Sequence, residues 1–216
     1  MIGDAFPTIP TGIDDHIQNS TPIFTDVAQG STYNDALSYL KSLGVVSGYA
    51  DGSFKTGAHI NRAEFTRIVV GAIRTSPDNG LCAETLANPD GSYKNLFTDI
   101  PVPKINAPLW YFDDVCYAKS EHLINGYADG SFKPNEDINF SEAAKILTNG
   151  FQLFADSAAN QIWYKIYVDV LAYQKAIPLT IKSFNQKITR GEMAEMVYRL
   201  KAGKTNLPSQ SYATLQ

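Results

Sequence analysis

One run of eight residues occurs twice in this chain and limits the possible folds more than any other feature. The sequence GYADGSFK stands at positions 48–55 and again at 126–133. An internal repeat of this kind indicates similar structural units arranged side by side. Matches on both sides, in the same register, extend the similarity, so that the two predicted units cover residues 24–75 and 97–153.

A third, less similar unit is predicted for residues 154–201. Its segment Ile188–Glu192 aligns with Ile60–Glu64, but it lacks the octapeptide. The segments outside the units are rich in polar residues, proline and glycine. They are predicted to be a tail or linker at 1–23, a surface loop at 76–96, and a C-terminal tail with a frayed end at 202–216.

Each unit is predicted to contain two helices joined by a loop. Apolar residues recur at spacings of three and four, for example at Phe65, Ile68, Val69 and Ala72, as on the buried face of a helix. The predicted first helices cover residues 33–43, 110–122 and 163–175. The predicted second helix begins at residue 61 in the first unit. It covers 140–153 in the second unit and 190–201 in the third.

The second helix of every unit begins with a capping-box pattern. In this arrangement an Asn or Thr side chain accepts from a backbone amide three residues on, and a Glu reaches back to the first residue. Helix capping therefore explains these residues, and a ligand-binding role is the alternative. The pairs are Asn61 with Glu64, Asn139 with Glu142, and Thr189 with Glu192.

Composition excludes several classes of function. The apolar fraction of 44% is ordinary for a globular protein, and the net charge of −4 provides no general attraction to nucleic acid. No apolar run is long enough for a membrane span. Acidic residues interrupt the start of the chain, which does not resemble a signal peptide, so export would require a longer precursor.

The two cysteines, Cys82 and Cys116, are predicted to form a disulfide that closes the loop between the first two units. Two separate thiols are the alternative.

No enzyme activity, cofactor or metal site is predicted, because His16, His59 and His122 lie in unlike contexts and Asp51-Gly52-Ser53 lacks the rest of a calcium loop.

Taken together, Phe-Thr-Asp-Val, Gly-Tyr-x-Asp-Gly-Ser-Phe and Ile-Asn-Arg-Ala-Glu closely resemble the motifs of the surface-layer homology (SLH) domain. The resemblance implies an all-α fold in which three helix-loop-helix SLH repeats form a pseudo-threefold bundle. It also implies anchoring at the extracellular bacterial surface, as part of an exported precursor in the S-layer. The implied partner is a secondary cell-wall polysaccharide or other envelope glycan, pyruvylated in well-known members, with other S-layer proteins as further partners.

The resemblance assigns carbohydrate binding to grooves between units. Its anion-binding Arg falls on Arg62 and Arg190, whereas the second unit has Phe140 at that position, so one or two competent grooves are expected. For the Asp of the octapeptide the alternative role is turn formation, and for its Tyr the alternative is internal packing. For the two Trp residues, which lie outside the octapeptide, the alternative is core packing. The further candidates are Tyr49, Asp51, Gly52, Tyr127, Asp129, Gly130, Trp110 and Trp163.

The other reading is a protein–protein assembly module that keeps the SLH fold without binding glycan. Open grooves around Arg62 and Arg190 would favour glycan binding, and internal salt bridges would favour assembly. On the glycan reading, alanine at these two positions is expected to reduce binding and leave the melting temperature nearly unchanged. Alanine at Glu64 or Glu192 is expected to destabilise the fold.

Overall fold

The structure is a computed structural model that describes residues 22–74, 86, 94–101, 109–153 and 162–215. Helices account for all the named elements in these residues, which confirms the all-α prediction. Each helix matches a predicted one, and most are a few residues shorter. They are α1 (Asn34–Ser42), α2 (Arg62–Ile73), α3 (Phe112–Ser120), α4 (Phe140–Gly150), α5 (Lys165–Tyr173) and α6 (Arg190–Lys201), followed by a 3-10 helix at Tyr212–Thr214.

The six helices are arranged as a closed ring of three pairs. The first helix of each pair packs on the second helix of another pair: α1 on α6, α3 on α2, and α5 on α4. In the centre, α2 packs on both α4 and α6. Apolar side chains of these second helices, including Phe65, Val69, Leu147 and Val197, are completely buried. The three units therefore share one core.

A ring of backbone hydrogen bonds closes the bundle at the start of the second helices. The amide of Ile60 donates to the carbonyl of Ile188 (3.2 Å), Ile188 donates to Ile138 (3.1 Å), and Ile138 donates to Ile60 (3.1 Å). All three isoleucines are completely buried. The third helix pair has the same place in this ring as the first two.

Each second helix is capped by the loop of another unit. The first amides of a helix have no partner within the helix and need one elsewhere. On α2, the amides of Arg62 and Ala63 donate to the carbonyls of Glu136 and Pro134. The amides of Phe140 and Ser141 on α4 are satisfied by Gln186 and Phe184, and those of Arg190 and Gly191 on α6 by Ala58 and Thr56.

The predicted capping boxes are complete on two of the three helices. At α4 and α6 the cap residue accepts from the Glu amide, and the Glu carboxylate accepts from the cap amide. At α2, Asn61 accepts from the amide of Glu64, and the Glu64 carboxylate lies 3.7 Å from Arg190. All three cap side chains thus accept from the amide of the Glu, and the reciprocal bond is described for Glu142 and Glu192.

The octapeptide loops are held by the aspartate of the Phe-Thr-Asp motif, whose role the sequence did not reveal. Asp26 accepts from the amides of Phe54 and Lys55, both at 2.7 Å, and Asp99 accepts from Phe132 and Lys133 in the same way. Burial opposes ionisation of Asp26, but these backbone hydrogen bonds outweigh it and lower its pKa. The motif therefore fixes the loop in both units.

The C-terminal tail does not fray, contrary to prediction. The amide of Gln210 donates to the carbonyl of Ile177 (3.0 Å), and the amide of Ile177 donates to Oγ of Ser209 (3.2 Å). Leu215 is buried, with 6% of its surface exposed. The tail packs because its polar residues satisfy backbone groups of the shortened loop in the third unit.

Three expectations fall on parts of the chain that are not described. Cys116 is buried in α3, whereas Cys82 lies outside the described residues, so the disulfide stays a prediction. Most of the 76–96 loop and residues 1–21 of the predicted N-terminal tail also lie outside them. In the described residues, no helix has the length and apolar character needed to cross a membrane.

Candidate functional site

Two clefts of like composition lie between the units. Groove 1, of about 570 Å³, is lined by the loop and second helix of unit one together with Trp110, Asp114 and Arg190. Groove 2, of about 380 Å³, is lined by the corresponding parts of unit two together with Arg62 and Trp163. Three units therefore contribute to each groove.

The two arginines implied by the family resemblance lie at the base of these grooves. Arg190 donates from Nε to the carbonyl of Phe54 at 2.9 Å, and one terminal nitrogen lies 3.7 Å from Glu64. Its guanidinium is 4.9 Å from the centre of the Tyr49 ring. It is 7% exposed, so only a small part of it faces the groove.

Arg62 has the same surroundings in groove 2. Its Nε donates to the carbonyl of Phe132 at 2.8 Å, and a terminal nitrogen lies 3.5 Å from Glu142. The guanidinium lies 4.8 Å from the centre of the Tyr127 ring. Both arginines thus line a groove and also make internal contacts. The open groove expected for glycan binding and the internal salt bridges expected for assembly therefore occur together.

These contacts correct the expectation about the arginine variants. A buried guanidinium that holds a carbonyl and a carboxylate contributes to stability, and removing it leaves both partners unsatisfied. Alanine at Arg62 or Arg190 should therefore lower the melting temperature. Sequence spacing alone could not reveal this, because every partner of each arginine belongs to another unit.

The tryptophans form one edge of each groove. Trp110 is 52% exposed and Trp163 is 54% exposed, so neither is a core residue. Each indole meets the ring of the following tyrosine edge to face, at 5.1 Å for Tyr111 and 5.4 Å for Tyr164. An aromatic face held at the edge of an open, partly polar cleft is suited to bind the apolar face of a ligand.

A basic residue three positions after the capping Glu faces each groove, and sequence reasoning missed both. Arg67 lines groove 1 and Lys145 lines groove 2. Their shared position relative to Glu64 and Glu142 was a usable signal, because residues three apart lie on the same side of a helix.

The octapeptide residues divide between the grooves and the turn. Tyr49 and Tyr127 line the grooves. Asp51 and Asp129 each accept from the hydroxyl and the amide of the serine two residues on, and the serine hydroxyl bond in particular lowers the pKa of Asp51. The aspartates and the adjacent glycines, Gly52 and Gly130, lie outside the lining of the two grooves.

The two glycines are required by the turn. Gly52 and Gly130 both have φ of +80°, a left-handed conformation that favours glycine. A Cβ atom at Gly52 would lie 3.0 Å from the Thr25 methyl group, and one at Gly130 would lie 2.9 Å from that of Thr98. The turn therefore explains these positions, and the proposed sugar contact stays a prediction.

The third position in the ring differs from the two grooves. Phe140, completely buried, replaces the arginine, and the side chain of Glu195 pairs with Arg199 where Arg67 and Lys145 stand in the other units. The ring of Tyr33 packs so closely on Gly191 that a Cβ there would lie 2.5 Å from it.

The C-terminal tail covers the loop at this third position. Gln210 donates through its side chain to the carbonyls of Leu179 and Ile181, in addition to its backbone bond to Ile177. Ile177 corresponds to Val46 and Ile124, which line grooves 1 and 2. The backbone segment that borders an open groove in the first two units is therefore hydrogen-bonded to the C-terminal tail in the third unit.

The fold and grooves define a class of helical repeat modules with open clefts between the repeats. A family model described as the S-layer homology domain matches residues 23–66 and 104–144. The chain therefore carries S-layer homology domains in these two segments. The predicted third repeat lies outside the matched segments and rests on its place in the ring.

Several surface proteins of bacteria are similar to this chain. The surface-layer 125 kDa protein of Lysinibacillus sphaericus is 28% identical over 144 residues, which cover 63% of this chain and 11% of that protein. The middle cell wall protein of Brevibacillus brevis is 27% identical over 158 residues, covering 73% and 13%. For cell surface glycoprotein 1 of Acetivibrio thermocellus the identity is 27% over 137 residues, covering 62% and 5%. The chain thus spans a small part of each relative.

Proposed function

We propose that this module anchors a larger extracellular protein to the cell envelope by binding a secondary cell-wall polysaccharide in grooves 1 and 2. The main observation in support of this proposal is that the same set of side chains recurs in both grooves. Each has an exposed tryptophan, a tyrosine, a capping glutamate, a basic residue and a buried arginine from another unit. The family and its cell-surface relatives support the same role.

The composition of the grooves suits a sugar ligand. Carbohydrate offers hydroxyl groups that donate and accept hydrogen bonds, together with apolar C–H faces that pack on aromatic rings. A cleft with one aromatic edge and a few placed polar groups provides both kinds of contact. Two such grooves on one rigid body would bind a repeating polymer with greater avidity than either groove alone.

Co-sedimentation with cell-wall sacculi tests this function. The purified chain is mixed with sacculi from its own source, before and after removal of the non-peptidoglycan polysaccharide. The test variant is Trp110→Ala/Trp163→Ala, because these half-exposed side chains can be removed without opening the core. Tyr173→Ala is the matched control, since Tyr173 is 83% exposed and is not among the residues that line either groove.

We expect the wild-type chain and the Tyr173 variant to sediment with untreated sacculi only, and the tryptophan variant to remain in solution. If the folded wild-type chain stays in solution with untreated sacculi, the glycan proposal fails. In that case the assembly reading, in which the module binds another surface-layer protein, becomes the better account.

A further inference from the structure

Grooves 1 and 2 have the same plan but differ in the balance of charge among their lining side chains. Among the described lining residues, groove 1 contains the cations Arg67 and Arg190 and the carboxylates of Glu64 and Asp114. Groove 2 contains the cations Arg62 and Lys145 and a single carboxylate, that of Glu142. One groove is therefore balanced, and the other has a positive charge in excess.

The carboxylate in groove 2 is already fully engaged. One oxygen of Glu142 accepts from the hydroxyl of Tyr127 at 2.6 Å, and the other accepts from the amide of Asn139 at 3.1 Å and lies 3.5 Å from Arg62. Burial, together with the hydrogen bond to Glu142, raises the pKa of Tyr127 to about 12, so the phenol keeps its proton. Little of the Glu142 charge is left to compensate Lys145.

Lys145 has no acidic partner among the described residues. Its ammonium group lies 6.0 Å from the centre of the Tyr167 ring, its one described side-chain interaction. Tyr167 lies four positions after Trp163, and the residue four positions after Trp110 is Asp114. The ring beside Lys145 thus stands at the position where groove 1 has the carboxylate of Asp114.

In groove 1 this carboxylate holds the corresponding cation. Nε of Arg67 lies 3.8 Å from Asp114, which is also 3.9 Å from Arg74. Glu142 accepts from the hydroxyl of Tyr127, but no described hydrogen bond joins Glu64 to the corresponding Tyr49. The side chain of Glu64 is 30% exposed. Groove 1 therefore offers the partly exposed carboxylate of Glu64, which would accept from sugar hydroxyls and repel an anionic ligand.

Building on the proposed function, we infer that the two grooves bind chemically different sugars of the envelope glycan. Groove 2 holds an acidic sugar, and Lys145 selects its carboxylate. Groove 1 holds an uncharged sugar through hydroxyl groups. Arg190 in groove 1 and Arg62 in groove 2 have the same surroundings, so these arginines do not distinguish the two ligands.

The two tryptophans allow each groove to be observed separately. The chain contains only Trp110 and Trp163, one at each groove, so their indole N–H signals in a ¹H–¹⁵N spectrum report on groove 1 and groove 2 respectively. The probes are the methyl glycoside of N-acetylglucosamine with a pyruvate ketal and the methyl ester of the same sugar. The two probes differ in the charge of one carboxyl group.

In the wild-type chain we expect the acid to shift the Trp163 signal at a concentration about tenfold lower than the ester, as for one charge-assisted hydrogen bond. Lys145→Met should abolish this difference, while the matched variant Arg67→Met should leave it unchanged. Asp114→Asn should release Arg67 and lower the acid concentration that shifts the Trp110 signal.

Equal responses of Trp163 to acid and ester, or an acid response at Trp110 as strong as that at Trp163, would overturn the inference and leave glycan binding intact. If neither sugar nor the purified polysaccharide moves either indole signal, the proposed function fails and the inference fails with it.

Discussion

At the scale of single residues, the buried arginines show how one side chain can serve a site and the fold together. Arg62 and Arg190 each connect the start of one second helix to the octapeptide loop of another unit. A cation gains nothing from the dipole at the start of a helix, so the position is unfavourable without these cross-unit contacts. The contacts supply the missing stabilisation and leave the guanidinium at the base of a groove.

Replacing Arg62 by alanine should lower the free energy of unfolding by about 2–3 kcal/mol, since the Phe132 carbonyl and the Glu142 carboxylate lose a partner. Urea denaturation followed by circular dichroism measures this. Arg67→Ala is the control, because its side chain is 56% exposed and should contribute less than about 0.5 kcal/mol. Equal midpoints for the two variants would show that the buried contacts are not stabilising.

Asp26 should give the fold a pH dependence. Because its pKa is lowered in the folded state, its stabilising effect is present above the unfolded value of about 3.9 and is lost as the pH falls through the folded value. Asp26→Asn should therefore be less stable than wild type at pH 7, by about 1 kcal/mol, and the difference should shrink towards zero in acid.

Urea titrations at several pH values test the Asp26 prediction. Asp35→Asn is the matched control, since Asp35 is exposed on α1 and its described hydrogen bond is to its neighbour Asn34. A difference between wild type and Asp26→Asn that stays constant with pH would contradict the assignment.

At the scale of elements, local pattern predicted the helices but not how they contact one another. The repeated octapeptide, the helical spacing of Phe65 to Ala72 and the three capping pairs lie within single units, so sequence alone revealed them. Lys145, Asp114 and the anchoring role of Asp26 depend on partners in other segments. The C-terminal tail has no periodicity, and its packing depends on backbone groups left open by a shortened loop.

Removal of residues 208–216 should destabilise the third unit. The chain would lose the burial of Leu215 and the hydrogen bonds to Ile177, Leu179 and Ile181, which together amount to about 3 kcal/mol. Thermal unfolding measures the loss, and hydrogen exchange should show faster exchange of the Ile177 amide. Ser209→Ala, which removes one acceptor, should have a smaller effect. An unchanged unfolding temperature after truncation would mean that the tail only rests on the surface.

At the scale of the whole molecule, the units are parts of one cooperative body. Each first helix packs on a second helix of another unit, and each second helix receives its caps from a loop of another unit. A single unit therefore exposes both an apolar helix face and unsatisfied amides. These features favour unfolding of the entire module in one transition.

A fragment of residues 22–153, which lacks the third unit, should not form a stable fold. The amides of Phe140 and Ser141 would lose the carbonyls of Gln186 and Phe184, and α1 would lose α6. Dispersion of amide signals in a ¹H–¹⁵N spectrum measures this, and adding residues 154–216 as a separate chain should restore it. A dispersed spectrum and a cooperative transition for the fragment alone would show that the units are independent.

The hydrogen-bonded isoleucine ring also sets the order in which this chain can fold during synthesis. Ile60 is made before Ile188, yet the two residues share a buried hydrogen bond. The first unit must therefore wait with an open edge while the ribosome makes the remaining two, and late-forming contacts of this range slow folding. A chain whose synthesis stops before Ile188 would present that edge to proteases and to its own copies.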